Sequence, residues 1–156
     1  MISLMKIGAS AALFASALPA TAQPVELVTR VMVEMREPAR DGTTRIVLAP
    51  AARVTPGNRV VYQISYRNTG REAARDLVIA NPVPAGLIYA GPAQGSPEPE
   101  LSVDGARFGT LSQLSVRTVT GTRAATSADV RVVRWRLVKP VAAGGSGQVS
   151  FRAILK

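Results

Sequence analysis

The stretch "RVVYQISYRN", residues 59–68, does most to narrow what this chain can fold into. Val60, Tyr62, Ile64 and Tyr66 fall on one parity, and Arg59, Gln63, Ser65 and Arg67 on the other. Apolar and polar residues alternating with period two put one set on each face of an extended chain, which is the pattern of a half-buried β-strand. The strand stops at Asn68-Thr69-Gly70, where Asn can bond nearby backbone and Gly accepts positive φ at no steric cost. Residues 77–80 resume an apolar run. Pro82 and Pro84 then withhold two N–H donors from any ladder and bias Asn81 and Val83 toward extended geometry. Gly86 releases the chain into "LIYA", a further strand.

The same punctuation continues along the chain. Residues 25–35, "VELVTRVMVEM", are rich in β-branched side chains and place Leu27, Val31, Val33 and Met35 on one face. Residues 45–48 are a shorter run, and 91–100 form a loop rich in Pro and Gly. "LSVDGARF", residues 101–108, predicts a small hairpin turning at Asp104-Gly105. Its Ser-x-Asp opening partly echoes the Asp-box of sialidases, but Ala106 stands where that motif needs Gly. Residues 118–129 are small and polar and predict a long loop. Two strands close the chain, 130–138 with Val133, Trp135 and Leu137 on one face, and 148–155 with Val149, Phe151 and Ala153 on one face. No segment keeps a 3.6-residue period, and 13 Gly and 11 Pro interrupt the sequence. The pattern predicts an all-β antiparallel sandwich of about seven to eight strands. Tyr62, Ile64, Leu77, Val133, Trp135, Leu137, Val149 and Phe151 are expected between its sheets.

Residues 1–22 read differently. Lys6 gives a positive start, 9–18 are apolar, and Ala20-Thr21-Ala22 supplies the small residues of a cleavage site, the three parts of a secretory signal peptide. Cleavage before Gln23 is expected, leaving one domain over 23–156 in the periplasm or outside the cell. The apolar run is well short of the roughly 20 residues a membrane span needs, and no later run is longer, so no transmembrane span is expected after cleavage. The chain has no cysteine, which excludes a disulfide framework, a thiolate metal site and a cysteine nucleophile. Such a domain holds together by burial alone.

From Pro56-Gly57 onward the order of motifs carries a resemblance. The strand with Tyr62 and Ile64, Asn68-x-Gly70, the strand at Leu77, Pro84-x-Gly86-Leu87, Trp135 and the glycine turn before "QVSFRAIL" together resemble the conserved repeat domain of bacterial and archaeal surface proteins, domain of unknown function eleven. The resemblance covers 54–156 and implies a single immunoglobulin-like copy in an envelope or secreted setting, with no catalytic residues to carry over. Asn81 stands where that family usually has an acid before its Pro-x-Gly turn, and 96–129 is longer than a minimal repeat.

Charge and chemistry bound the function. The formal net charge is +9, and removal of Lys6 lowers it by one. That balance suits polyanionic surroundings. Export argues against nucleic acid as a partner, as does the placing of Tyr62 and Tyr66 on the apolar face rather than between basic residues. With no histidine, Ser-His-Asp catalysis and histidine-zinc sites are excluded. Glu98 and Glu100 lie on the Pro-rich loop and read as freely solvated, Asp104 reads as turn chemistry, and Asp41, Asp76 and Asp104 are too isolated for a calcium loop. No catalytic residue, cofactor or metal is expected.

The reading is an exported non-enzymatic structural or interaction module of the bacterial cell envelope, its partners other envelope proteins or anionic envelope polymers. One alternative is a binding module for an acidic envelope polysaccharide or lipopolysaccharide, and another a carboxylate-dependent hydrolase. The anion reading names a face. Inward parity of Val133 and Trp135 turns Arg134 and Arg136 outward, and that of Val149 and Phe151 turns Arg152 outward with Lys156. A short glycine-rich connection suggests that 130–138 and 148–155 pair as neighbours, crowding four cations onto one sheet face with no acid on either strand. The alternative for these residues is a merely solvated face.

Overall fold

The computed structural model describes residues 24–51 and 54–156, so the expected signal peptide, 1–22, lies outside the described residues. Ten strands follow in order: β1 (Val25–Pro38), β2 (Thr44–Pro50), β3 (Arg59–Asn68), β4 (Val78–Pro82), β5 (Leu87–Pro92), β6 (Glu100–Ser102), β7 (Ser115–Thr118), β8 (Gly121–Ala124), β9 (Val132–Arg136) and β10 (Ser146–Leu155). Every pairing is antiparallel. One sheet runs β2-β1-β3-β10-β5, a second runs β4-β9-β6, and β7 pairs with β8 alone. Ile64, Val149 and Phe151 of the first sheet meet Ile79, Val133 and Trp135 of the second in one core. The Trp135 and Phe151 rings sit 6.3 Å apart across it. The molecule is an antiparallel β-sandwich, as the punctuation implies, with more strands than the seven or eight expected.

The period-two reading places the core correctly. Ile64, Val133, Trp135, Val149 and Phe151 are buried, and Tyr62, Leu77 and Leu137 pack against them partly covered. Tyr66 pairs with Gly147 on β10, and a Cβ at Gly147 would collide with the Tyr66 ring. The glycine lets the ring lie flat across the neighbouring strand.

Two expectations are corrected. Residues 130–138 and 148–155 are not neighbours, because β9 lies in the three-stranded sheet while β10 sits between β3 and β5 in the other. The chain between them is a crossover: Ala74 and Val141 exchange backbone hydrogen bonds of 2.8 Å each, and Asn68 takes hold of the chain at Gly144 and Gly145. Residues 118–129 are not one long loop. Gly121, at φ 140°, allows a tight reversal, and Thr118 pairs with Gly121 to start the β7–β8 hairpin. Leu27 and Met35 share the face of Val31 and Val33, as their alternation places them, but each is 49% exposed, because the three-stranded sheet does not reach over them.

Asn68 answers why the chain stops at Asn-Thr-Gly. It is 1% exposed. Its Oδ1 accepts from the Gly70 N–H at 2.9 Å, while Nδ2 donates to the carbonyls of Glu72 (2.7 Å) and Val141 (2.9 Å). Its own N–H donates to the Gly145 carbonyl at 2.8 Å, and its carbonyl accepts from the Gly144 N–H at 2.9 Å. One buried side chain thus turns β3 and pins the crossover that carries the chain between sheets.

Candidate interaction surfaces

The four cations expected on one face are divided between sheets. Arg134 and Arg136 lie on β9, Arg152 lies on β10, and Lys156 follows it. No acid stands on β9 or β10, but β6 brings one alongside: Glu100 pairs in register with Arg134. Its Oε2 accepts from Arg134 at 2.7 Å and from Arg136 at 3.3 Å. The Arg134 guanidinium also lies 3.5 Å from the centre of the Phe108 ring, a cation–π contact that desolvation strengthens. Glu100 is therefore not a free loop carboxylate. Burial works to raise its carboxyl, but hydrogen bonds and charge from Arg134, and then from Arg136, hold it below the ordinary range. Arg134 is committed to this structural cluster, whereas Arg136 stays largely exposed. Arg152 donates to the Pro92 carbonyl at 3.2 Å, and the Lys156 ammonium donates to the Ala85 carbonyl at 3.0 Å.

A different basic face exists on the outside of the five-stranded sheet. The parity opposite to Val60 and Ile64 turns Arg59 and Arg67 outward, and register sets Arg30 beside Gln63 and Arg152 beside Val61. Among the described residues Arg30, Arg59 and Arg67 enter no ion pair. Val61, on this outer parity, is only 2% exposed between its register neighbours Met32 and Arg152. The long arms of such residues cover apolar surface while their heads stay in water. Parity within "RVVYQISYRN" already sets Arg59 and Arg67 on this side. That Arg30 and Arg152 join them depends on pairings remote in sequence.

The second surface is the ribbon formed by β1 and β2. The N-terminal half of β1 pairs with β3, while its later residues, from Met32 onward, pair with β2. The distal ribbon thus runs beyond β3. Opposite residues share a face, so Met35 lies with Val47, and Ile46 lies with Leu48 on the other side. Ile46 is 61% exposed, Met35 49% and Leu48 42%. Each face carries exposed apolar residues among charged ones, with Arg36 opposite Ile46 and Glu34 opposite Leu48, and β2 is the last strand of its sheet. Uncovered apolar edge strands are the usual place for another chain to add.

Three further carboxylates are engaged locally. Asp41 accepts from the Thr43 hydroxyl and N–H, and Asp104 from the N–H groups of Arg107 and Ala106 at 2.9 Å each. Asp129 accepts two bonds of 2.7 Å from Arg123 and two more from Thr126. These donors hold all three carboxyls below the usual range, whereas a glycosidase acid needs its pKa raised. Among the described residues no three His, Cys, Asp or Glu side chains gather in a group able to hold a metal ion. No described helix is long and apolar enough to cross a membrane.

The fold and its surfaces define an all-β sandwich with an open apolar ribbon and a basic outer face. No protein-family model, curated protein or solved structure matches the chain.

Proposed function

We propose that the chain is an exported, non-enzymatic structural or interaction module of the bacterial cell envelope, related to the conserved repeat domain, and that it docks to protein through the β1–β2 ribbon. The observation that carries this reading is the ribbon itself. Ile46, Leu48 and Met35 stand in water on an edge whose hydrogen-bonding groups face outward, at a free-energy cost that burial against a partner removes. The envelope setting rests on residues 1–22 and on the motif order from Pro56 to Trp135. Mass spectrometry of the exported protein should find Gln23 at the N-terminus, and an intact Met1 would overturn the setting. A photo-cross-linking residue placed at Ile46 or Leu48 in cells should give cross-linked products. The same residue at Val138, apolar and 96% exposed on a loop, should give none. Equal yields at all three positions would remove the docking reading.

A second reading, binding of an anionic envelope polymer, is supported by Arg30, Arg59, Arg67 and Arg152 on the outer sheet face, and not by a face joining Arg134 and Arg136 to Arg152 and Lys156. Lipopolysaccharide binding should weaken as salt shortens the screening length to about 10 Å at 0.1 M. The combined change Arg30→Ser, Arg59→Ser and Arg67→Ser should weaken it further, while Arg136→Ser should not. Wild-type binding by the triple variant would leave these arginines as a solvated face.

A further inference from the structure

Resting on the docking reading of the ribbon, we infer that the occupant of the β2 edge is a second copy of this chain, paired antiparallel about a two-fold axis through Val47. The backbone gives the first reason. The Ala51 N–H donates to the Val31 carbonyl, and the Ala39 N–H to the Thr43 carbonyl. Together with the register Met32 to Pro50, these bonds assign the odd-numbered residues of β2 to the ladder with β1. Thr44, Ile46 and Leu48 therefore aim their N–H and C=O groups out of the sheet. Pro50, with no N–H to offer, has the same outward parity, as prolines on edge strands do.

The side chains give the second. With Val47 opposite Val47 of the other copy, Ile46 stands opposite Leu48 and Arg45 opposite Ala49. Ile46 and Leu48 can then exchange N–H···O=C bonds in both directions. Residues directly opposed share a face, so the exposed Ile46 and Leu48 cover one another, and the two Val47 side chains meet between the two Met35 side chains on the other face. Shifting the register by one residue would set outward-facing groups against inward-facing ones and lose the ladder.

Charge selects a second copy over another partner. A chain of net charge +9 repels its own copies over most of its surface. Residues 32–50 are neutral, with three arginines balanced by three acids, and Glu37 pairs with Arg45 at 3.0 Å, so the ribbon is free of that repulsion. In the two-fold register each Arg45 faces a small apolar residue rather than its like. The contact is isologous and closes at two copies, joining both five-stranded sheets into one.

The chain has no native cysteine, so introduced ones report the register directly. Val47 points its backbone groups at β1, so the Val47 pair is the close, non-hydrogen-bonded kind, with Cα atoms about 4.5 Å apart, within disulfide range. Val47→Cys should link two copies under mild oxidation. Arg45→Cys and Ala49→Cys should not link alone but should link when mixed. Light scattering of the purified chain at micromolar concentration should give a dimer mass, and Ile46→Lys with Leu48→Lys should halve it while leaving the circular dichroism spectrum unchanged. A monomeric wild type, or Arg45→Cys linking to itself as readily as Val47→Cys, would overturn the proposal. Cellular cross-links from Ile46 that carry only a different protein would overturn the second copy and leave the docking reading standing. Absence of any cross-link would remove both.

Discussion

Replacing Asn68 by Asp changes one atom group and inverts the chemistry that holds the crossover. The amide orientation is fixed by its neighbours, since only Oδ1 can accept from the Gly70 N–H and only Nδ2 can donate to the Glu72 and Val141 carbonyls. An aspartate keeps the first bond and loses the other two. Its second oxygen faces two carbonyl oxygens at a position 1% exposed. A buried charge without a partner is expected to cost about 3–5 kcal/mol at neutral pH, the range seen when one member of a buried pair is removed. Asn68→Ala, which leaves the same carbonyls unpaired but adds no charge, should cost about 2–4 kcal/mol, with each stranded group contributing about 1–3 kcal/mol. The two variants differ in pH dependence. The introduced carboxyl is disfavoured as an anion in the folded state, so its folded pKa rises above the unfolded value of about 3.9. The folded state then binds more protons than the unfolded one, and stability falls as pH rises through that window. Urea unfolding at about pH 7 and about pH 4, referred to wild type at each pH, should show the penalty of Asn68→Asp shrinking at the lower pH and that of Asn68→Ala unchanged. An Asn68→Asp variant within about 0.5 kcal/mol of wild type at neutral pH, or one with equal penalties at both, would refute the assignment of Asn68 as the pin.

Trp135→Ala should cost about 3–5 kcal/mol in urea unfolding, and Trp135→Phe about 1–2 kcal/mol through loss of the 2.9 Å bond from Nε1–H to the Pro97 carbonyl. A loss below about 1 kcal/mol for the alanine variant would place Trp135 outside the core. Arg123 and Thr126 hold the Asp129 carboxyl well below its usual range, so its contribution is present above about pH 4 and drains away as pH falls toward the lowered folded value. Thermal melts should therefore show the gap between wild type and Asp129→Asn closing on acidification, and a gap that stays constant would contradict it. Phe108→Ala should strip the cation–π contact from Arg134, lowering stability by about 0.5–2 kcal/mol in addition to lost apolar burial, with Arg134→Lys failing to replace the planar contact with Glu100 and the ring.

Local pattern carries the fold as far as local pattern can. Parity in residues 59–68 and 130–138 identifies the buried set because alternate side chains point to opposite faces whatever their neighbours. Parity says which face a residue takes but not whether anything covers that face: Leu27 and Met35 share the face of Val33 yet are each 49% exposed. The pairing of β9 with β10 fails for a related reason. A short glycine-rich connection reads as a hairpin, whereas here the chain between the strands is held by Asn68 and Ala74, far earlier in the sequence. Glu100 reads as solvated in sequence because its partners, Arg134 and Arg136, become neighbours only when β6 joins β9. The β7–β8 hairpin leaves no apolar alternation to read, since all four residues of β8 are exposed. On the basic surface, Arg59 and Arg67 are legible from their parity, while Arg30 and Arg152 are placed by register alone.

Amide hydrogen exchange along β2, followed at low and high protein concentration, tests the ribbon as a docking edge most directly. Val47 and Ala49 bond to β1 and should exchange slowly at both concentrations. Ile46 and Leu48 face outward and should exchange fast when the protein is dilute and slow when it is concentrated. Fast exchange at Ile46 and Leu48 at every concentration, with Val47 and Ala49 slow throughout, would show an edge that no second copy occupies.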